Sequence, residues 1–406
     1  MRDLIYVSTL FLSPIFFAII AIMGIQYSGS SESNLYIIIA LLYFFISVLT
    51  LFFNHAIKKK YSVSVLISIL IIIGITINGL VFGKTNSSMF RQFIIFCIPA
   101  SLIGIHYARR GSIESLIKWL DWLMLLLSIS FIFSTNNLLL RIADQTSHYS
   151  QNLSYNATLA LLLNLFLLSF GNRYKRFSIF KNKFYKYLCY ILIPLQLSVL
   201  FIGGGRGALV TLFIGLIVYF FQFKKPTHKF FKFLIYSFLI VISLSYLLTN
   251  FLEIDVVNIL VRNADRAINF LDTGLSSYDR TSGRDALYRQ SIELIFSRPL
   301  SGYGLFNYVS YIKPHPYPHN LLLEWALQGG LFFMLISIFI IVVLIFNMFK
   351  RNKYHPINTM FFLLVVYAFC PLLFSGSYLQ SPFFWFVIMY MINYCIPKEQ
   401  NRQVFP

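Results

Sequence analysis

Long apolar runs limit this chain to very few folds before anything else is considered. About 20 consecutive apolar residues cross the hydrocarbon core of a bilayer as a helix. Runs of 16 to 23 such residues recur along the sequence. A backbone in hydrocarbon must satisfy its own hydrogen bonds, so these runs are expected to be helical. Twelve spans are predicted, near 4–25, 35–54, 62–83, 92–107, 121–134, 155–170, 187–202, 207–223, 233–250, 329–349, 358–374 and 381–396. Only 12% of the residues are charged, about half the roughly 25% of soluble domains. The expected fold class is an all-α polytopic membrane protein. The first run is too long for the core of a signal peptide and lacks a clear small-residue cleavage site. It is therefore read as an uncleaved span.

The net charge of +19 would suit a nucleic-acid binder, but its distribution points elsewhere. With the N-terminus inside, the cytoplasmic segments hold 22 Lys and Arg, against four in the short outer segments (Lys84, Arg91, Arg141 and Arg206). Positive residues concentrate on the cytoplasmic side of membrane proteins. Both termini are thus expected in the cytoplasm, with membrane lipids as partners and no nucleic acid. The basic stretch from Arg173 to Lys186 is read as an ordinary inner loop. Cys97, Cys189, Cys370 and Cys395 fall in or at the ends of apolar runs, without metal-ligand spacing, and read as packing residues.

This arrangement divides the chain into three parts. Residues 1–250 hold the first nine spans, including an outer Gly-rich turn with an arginine at 203–207. Residues 251–328 form one large extracytoplasmic loop, and 329–406 hold the last three spans and a cytoplasmic tail. The loop region concentrates polar chemistry: the interval 253–328 contains eight of the 14 acidic residues and seven basic ones. Facing outward, it lies away from cytosolic nucleotides, which argues against ATP and nucleotide sugars as its substrates.

Three places are suited to chemistry. Gly203-Gly204-Gly205-Arg206-Gly207 combines a tight turn with amides able to form an anion nest. It adds an arginine, the side chain best shaped for bidentate phosphate contact; a hairpin whose Arg206 snorkels to headgroups is the plainer reading. Ser282 and Asp285 have the spacing of a capping box for a helix near 283–297, ended by Pro299. Arg284 would then sit in its first turn, where a cation opposes the helix dipole. An anionic ligand or a structural salt bridge would explain it equally well, and Arg280 and Arg289 are weaker candidates. The third place is His319, approached by the stiff Lys313-Pro314-His315-Pro316-Tyr317-Pro318 and followed by Asn320, a plausible N-cap. A helix N-terminus favours the neutral imidazole that a general base requires. His315 is its competitor, and Glu324 lies on the Asn320 face of the same helix. Paired carboxylates for glycoside hydrolysis are not singled out by any spacing.

Gly205-Arg206-Gly207-Ala208, Ser282-Gly283-Arg284, Arg298-Pro299-Leu300-Ser301-Gly302-Tyr303-Gly304 and Pro318-His319-Asn320 with Gly329-Gly330 together resemble the O-antigen ligase/polymerase family. Many of its members have Ser where Gly205 stands. The resemblance implies a metal-independent glycosyltransferase of the cytoplasmic (inner) membrane, without cofactor, active on the outer face. Its donor would be an undecaprenyl-diphosphate-linked oligosaccharide, its acceptor a glycan, and a chain-length regulator protein would be a partner. Arg206 and Arg284 would bind the diphosphate and His319 would deprotonate the acceptor. The acceptor would be another lipid-linked repeat unit for a polymerase, the branch leaned to here, or lipid A core for a ligase. Outside this family, a lipid-linked oligosaccharide flippase is the main competitor. Transporters often show internal repeats, and none is visible in this sequence. A structural membrane protein would need neither Arg206 nor His319.

Overall fold

The computed structural model describes residues 2–23, 31–56, 63–82, 87–110, 113–143, 150–170, 183–222, 236, 239, 261, 284–313, 317–351 and 356–395. Every regular element among them is helical, as backbone without water partners requires. The first half holds α1 (Arg2–Leu10), α2 (Leu12–Ile22), α3 (Ser31–Ala56), α4 (Val63–Phe82), α5 (Ser87–Gln92) and α6 (Ile98–Arg110). A π-helical turn, Phe93–Cys97, joins α5 to α6. Then come α7 (Glu114–Ala143), α8 (Gln151–Phe170), α9 (Lys183–Ile202) and α10 (Arg206–Gln222). The remainder holds α11 (Asp285–Ser297), α12 (Leu321–Arg351), α13 (Pro356–Phe369) and α14 (Pro382–Cys395).

Six of the described helical stretches are long and apolar enough to cross a membrane, or seven if α1 and α2 count as one broken span. The expected total of twelve is not reached by helices of spanning length among the described residues. The apolar stretch Leu35–Leu49 lies within the longer α3, and three apolar helices are shorter: Arg206–Phe221, Thr359–Leu373 and Pro382–Cys395. Of the expected span at 233–250 only residues 236 and 239 are described. The first span also departs from expectation, because α1 and α2 meet at an 82° bend. Pro14 explains the break: its ring would clash with the carbonyl of Leu10, the last residue of α1.

Apolar packing and a few buried polar ties hold the bundle. Asn164 on α8 donates to the Cys189 carbonyl at 2.8 Å and to Gln196 Oε1 at 3.1 Å, both on α9. Gln196 in turn donates to Ser128 Oγ on α7 at 2.9 Å. Asn393 on α14 donates to Ser68 Oγ on α4 at 2.8 Å. In an apolar medium each such bond replaces a costly unsatisfied group, so the ladder fixes which helices are neighbours. Gly104 lets α6 approach α14 closely, since a Cβ there would run into the Phe386 carbonyl. All four cysteines are buried and free.

The feature that most affects the site is a kink in α12. Gly330 has φ 78° and ψ 178°, where an L side chain would be strained. Leu331 N–H consequently donates to Pro299 O at 2.7 Å, outside its own helix. The carbonyls of Leu327 and Gln328 accept instead from Tyr303 N–H at 2.7 Å and Gly304 N–H at 2.8 Å. The Arg298–Gly304 stretch is thus a clasp closed around the kink. Gly302, at φ 60°, has no room for a side chain, because a Cβ would stand 2.5 Å from the Gln328 carbonyl carbon. The clasp is braced by Ser297 and Tyr303, whose hydroxyls lie 2.6 Å apart, and by Arg298 stacked over the Tyr303 ring at 4.8 Å.

Candidate functional site

Three stretches singled out in the sequence meet at a fourth that was not, residues 371–377 between α13 and α14. Gly207, in the first turn of α10, backs onto it: a Cβ there would lie 2.9 Å from Phe374 Cβ and would collide with the Tyr155 hydroxyl. Arg284 donates from Nη1 to the Phe374 carbonyl. Asn320 donates from Nδ2 to the Leu373 carbonyl at 3.4 Å. Ser377 donates from Oγ to Glu324 Oε1. The starts of α10, α11 and α12 therefore meet around Leu373 and Phe374.

Each helix start bears a residue suited to an anion. Arg206 is the first residue of α10 and is half-buried. Arg284 is the N-cap of α11 and has no side-chain capping bond. It thus stands just before the first turn in which the capping-box reading put it, and Ser282 lies outside the described residues. Among the described residues Arg284 bonds a neutral carbonyl, so its charge remains available to an anion. Asn320 caps α12, with Oδ1 accepting from Leu322 N–H at 3.0 Å and Leu323 N–H at 3.2 Å. A helix N-terminus has an effective charge of about +0.5 and presents N–H groups to anions.

The glycine amides do not form the anion nest expected of them. Gly203 N–H donates to Val199 O at 2.9 Å and Gly204 N–H to Phe201 O at 3.1 Å. Gly205 N–H donates to Ser154 Oγ at 2.9 Å. All three are spent on α9 and α8. These glycines serve close approach instead, since a Cβ on Gly203 or Gly205 would press on Ser154. Gly204, at φ 67°, turns the chain.

His319 stands beside Asn320 with φ 54°, the one described non-glycine residue in the left-handed region. That backbone state costs roughly 1–3 kcal/mol and persists where surrounding structure enforces it, commonly at functional sites. Its ring meets the Tyr317 ring edge-on, with centroids 4.5 Å apart. Burial and the Glu324 carboxyl push the Tyr317 hydroxyl up, and the Arg284 guanidinium pulls it down. Arg284 and the His319–Tyr317 pair thus share one electrostatic neighbourhood.

Glu324 is buried beneath this cluster and has a structural set of partners. Tyr308 donates to its Oε1 at 2.7 Å, Ser377 donates to the same oxygen, and Gln328 Nε2 does so at 3.5 Å. Burial and the neighbouring carboxyl raise the Tyr308 hydroxyl well above its usual value. Glu324 ties 371–377 to α12 and to the loop before it. Of the remaining sequence candidates, Arg289 is exposed on α11, while Arg280 and His315 lie outside the described residues. Sequence reasoning missed Tyr155, Tyr308, Phe374 and Ser377. A faint signal existed in Pro371 and Ser375-Gly376-Ser377, which interrupt an otherwise apolar run.

Residues 191–338 match the family model described as O-antigen ligase. This stretch is similar to the O-antigen ligase family. It includes Arg206, Arg284, His319 and Glu324 and ends before 371–377, so the segment that these helix starts meet comes from outside the matched residues. No curated protein and no solved structure matches the chain.

Proposed function

We propose that the protein transfers a glycan from a polyprenyl diphosphate to a sugar hydroxyl at the outer face of the cytoplasmic membrane, joining lipid-linked repeat units. The observation behind this reading is that the helix starts bearing Arg206, Arg284 and Asn320, the last with His319 beside it, meet around Leu373 and Phe374. Two guanidinium groups and three helix starts suit the diphosphate, whose negative charge grows as it leaves. Charge stabilisation preorganised in this way needs no rearrangement during the reaction.

In the proposed step the acceptor oxygen attacks the anomeric carbon, and the bond from that carbon to the diphosphate oxygen breaks. His319 takes the acceptor proton, a contribution of about 10²–10⁴-fold for a positioned base, and the lipid diphosphate leaves with the bonding pair. Direct displacement inverts the anomeric centre. A product that keeps the donor's configuration would overturn that part. The positive-inside count supports an outward-facing site, with both termini in the cytoplasm.

A second reading, transfer of the polyprenyl-linked glycan to lipid A core, is favoured by the description of the matching family model. A flippase is disfavoured by the same match. Purified protein in nanodiscs with an undecaprenyl-diphosphate-linked repeat unit tests all of them. Lengthening of the glycan supports polymerisation, and transfer only to added lipid A core supports ligation. Transfer to neither overturns the enzyme reading. Arg206→Lys should depress donor use far more than Lys225→Ala on the expected inner face; equal effects would remove Arg206 from diphosphate binding.

A further inference from the structure

On the other side of the 371–377 segment lies a cavity of about 700 Å³, within the range of roughly 300–1,000 Å³ for small-molecule sites. It opens among the α1–α2 bend, α3, the π-helical turn, the start of α8 and the segment itself. Four side-chain amides line it, Gln92, Asn152, Asn156 and Gln380, together with the phenol rings of Tyr36 and Tyr155. The lining includes no Asp, Glu or His, and its one charged residue is the exposed Arg91. None of the four amide side chains is hydrogen-bonded among the described residues, although Asn156 and Gln380 are half-buried. Each amide offers two donors and an acceptor, the pattern that vicinal hydroxyl groups can meet in pairs. Aromatic faces beside them suit the apolar C–H faces of a pyranose.

Tyr155 joins this cavity to the cationic cluster. It lines the cavity, its hydroxyl lies against Gly207 beside Arg206, and the Arg284 charge acts on it. Ser375, Gly376 and Ser377 line the same cavity, while the neighbouring Phe374 carbonyl accepts from Arg284.

We infer that this amide-lined cavity is the acceptor subsite and holds an uncharged, polyhydroxylated saccharide, with Tyr155 marking its border with the diphosphate. The identity of that ligand rests on the transfer reaction proposed above. Titration calorimetry on the full chain in nanodiscs tests it with two probes. One is the free oligosaccharide released by mild acid from lipid-linked repeat units of the producing cells; the other is core oligosaccharide freed of lipid A. At least one is expected to bind, and which one does identifies the acceptor source. Asn156→Leu and Gln380→Leu should each weaken that binding at least tenfold while leaving the affinity for sugar-free undecaprenyl diphosphate within twofold. Arg206→Lys should do the reverse. Size-exclusion monodispersity confirms that each variant is folded, and either cavity variant alone decides the matter. Binding of neither oligosaccharide overturns the inference, as does oligosaccharide affinity that ignores both cavity substitutions or follows Arg206 instead. Saccharide binding without any glycan transfer would leave this subsite standing and remove the transferase reading.

Discussion

Replacing Glu324 with leucine should strand two buried hydroxyls at once. Glu324 is 1% exposed, and its Oε1 accepts from Tyr308 and Ser377. Leucine fills much of the same space but accepts nothing. A buried hydroxyl left without its partner costs about 1–3 kcal/mol, so Glu324→Leu should destabilise the protein by about 2–6 kcal/mol. Glu324→Gln keeps a carbonyl oxygen in place and should cost about 1 kcal/mol. Ser377→Ala removes one donor, and in the Glu324→Leu background it also removes one of the stranded hydroxyls. The double variant should therefore be less damaged than the sum of the single ones, by about 1–2 kcal/mol. Thermal unfolding in detergent, at a fixed scan rate, reads the series, at about 1 °C per kcal/mol for a chain of this length. An additive double variant, or a leucine variant as stable as wild type, would refute the claim that this carboxyl ties 371–377 to α12.

Other expectations follow from the same geometry. His319→Asn should abolish transfer yet fold normally, because Asn tolerates the left-handed backbone; His319→Val should also lose about 1–2 kcal/mol, and an active Asn variant would exclude a base at this position. Gly302→Ala combines a left-handed strain of about 1–2 kcal/mol with loss of clasp bonds worth about 0.5–1.5 kcal/mol each. An unchanged melting temperature would contradict the clasp. Asn320→Ala should cost about 0.5–2 kcal/mol through loss of the cap, whereas Asn320→Asp should retain most of that stability. Equal melting of the two would argue against the cap.

How far the sequence could be read depended on the range of the interaction concerned. Apolar run length located most helices, because hydrocarbon leaves the backbone no other choice. The Asn320 cap is equally local and was visible from the residues around it. The break between α1 and α2 is local too, and Pro14 signals it, but the unbroken apolar run concealed that signal. The inward turn of the Gly203–Gly205 amides depends on Ser154, some fifty positions away, and on the helices behind the turn. No local pattern contains that partner. The same holds for Ser377, which meets Glu324 across 53 positions, and for Phe374, which meets Arg284 across 90. The Arg298–Gly304 motif was recognisable as a motif, but its role as a clasp appears only once the Gly330 kink is known.

The clasp divides α12 into parts with different surroundings. Only 11% of the most apolar window in this span is buried within the protein, so most of the lower helix faces away from the bundle. The two turns before Gly330 are fastened to the loop body through Tyr303 and Gly304, and the turn after it through Leu331. The loop thus grips α12 on both sides of Gly330, so a tilt of the shaft imposed by a thicker or thinner bilayer would carry the loop with it.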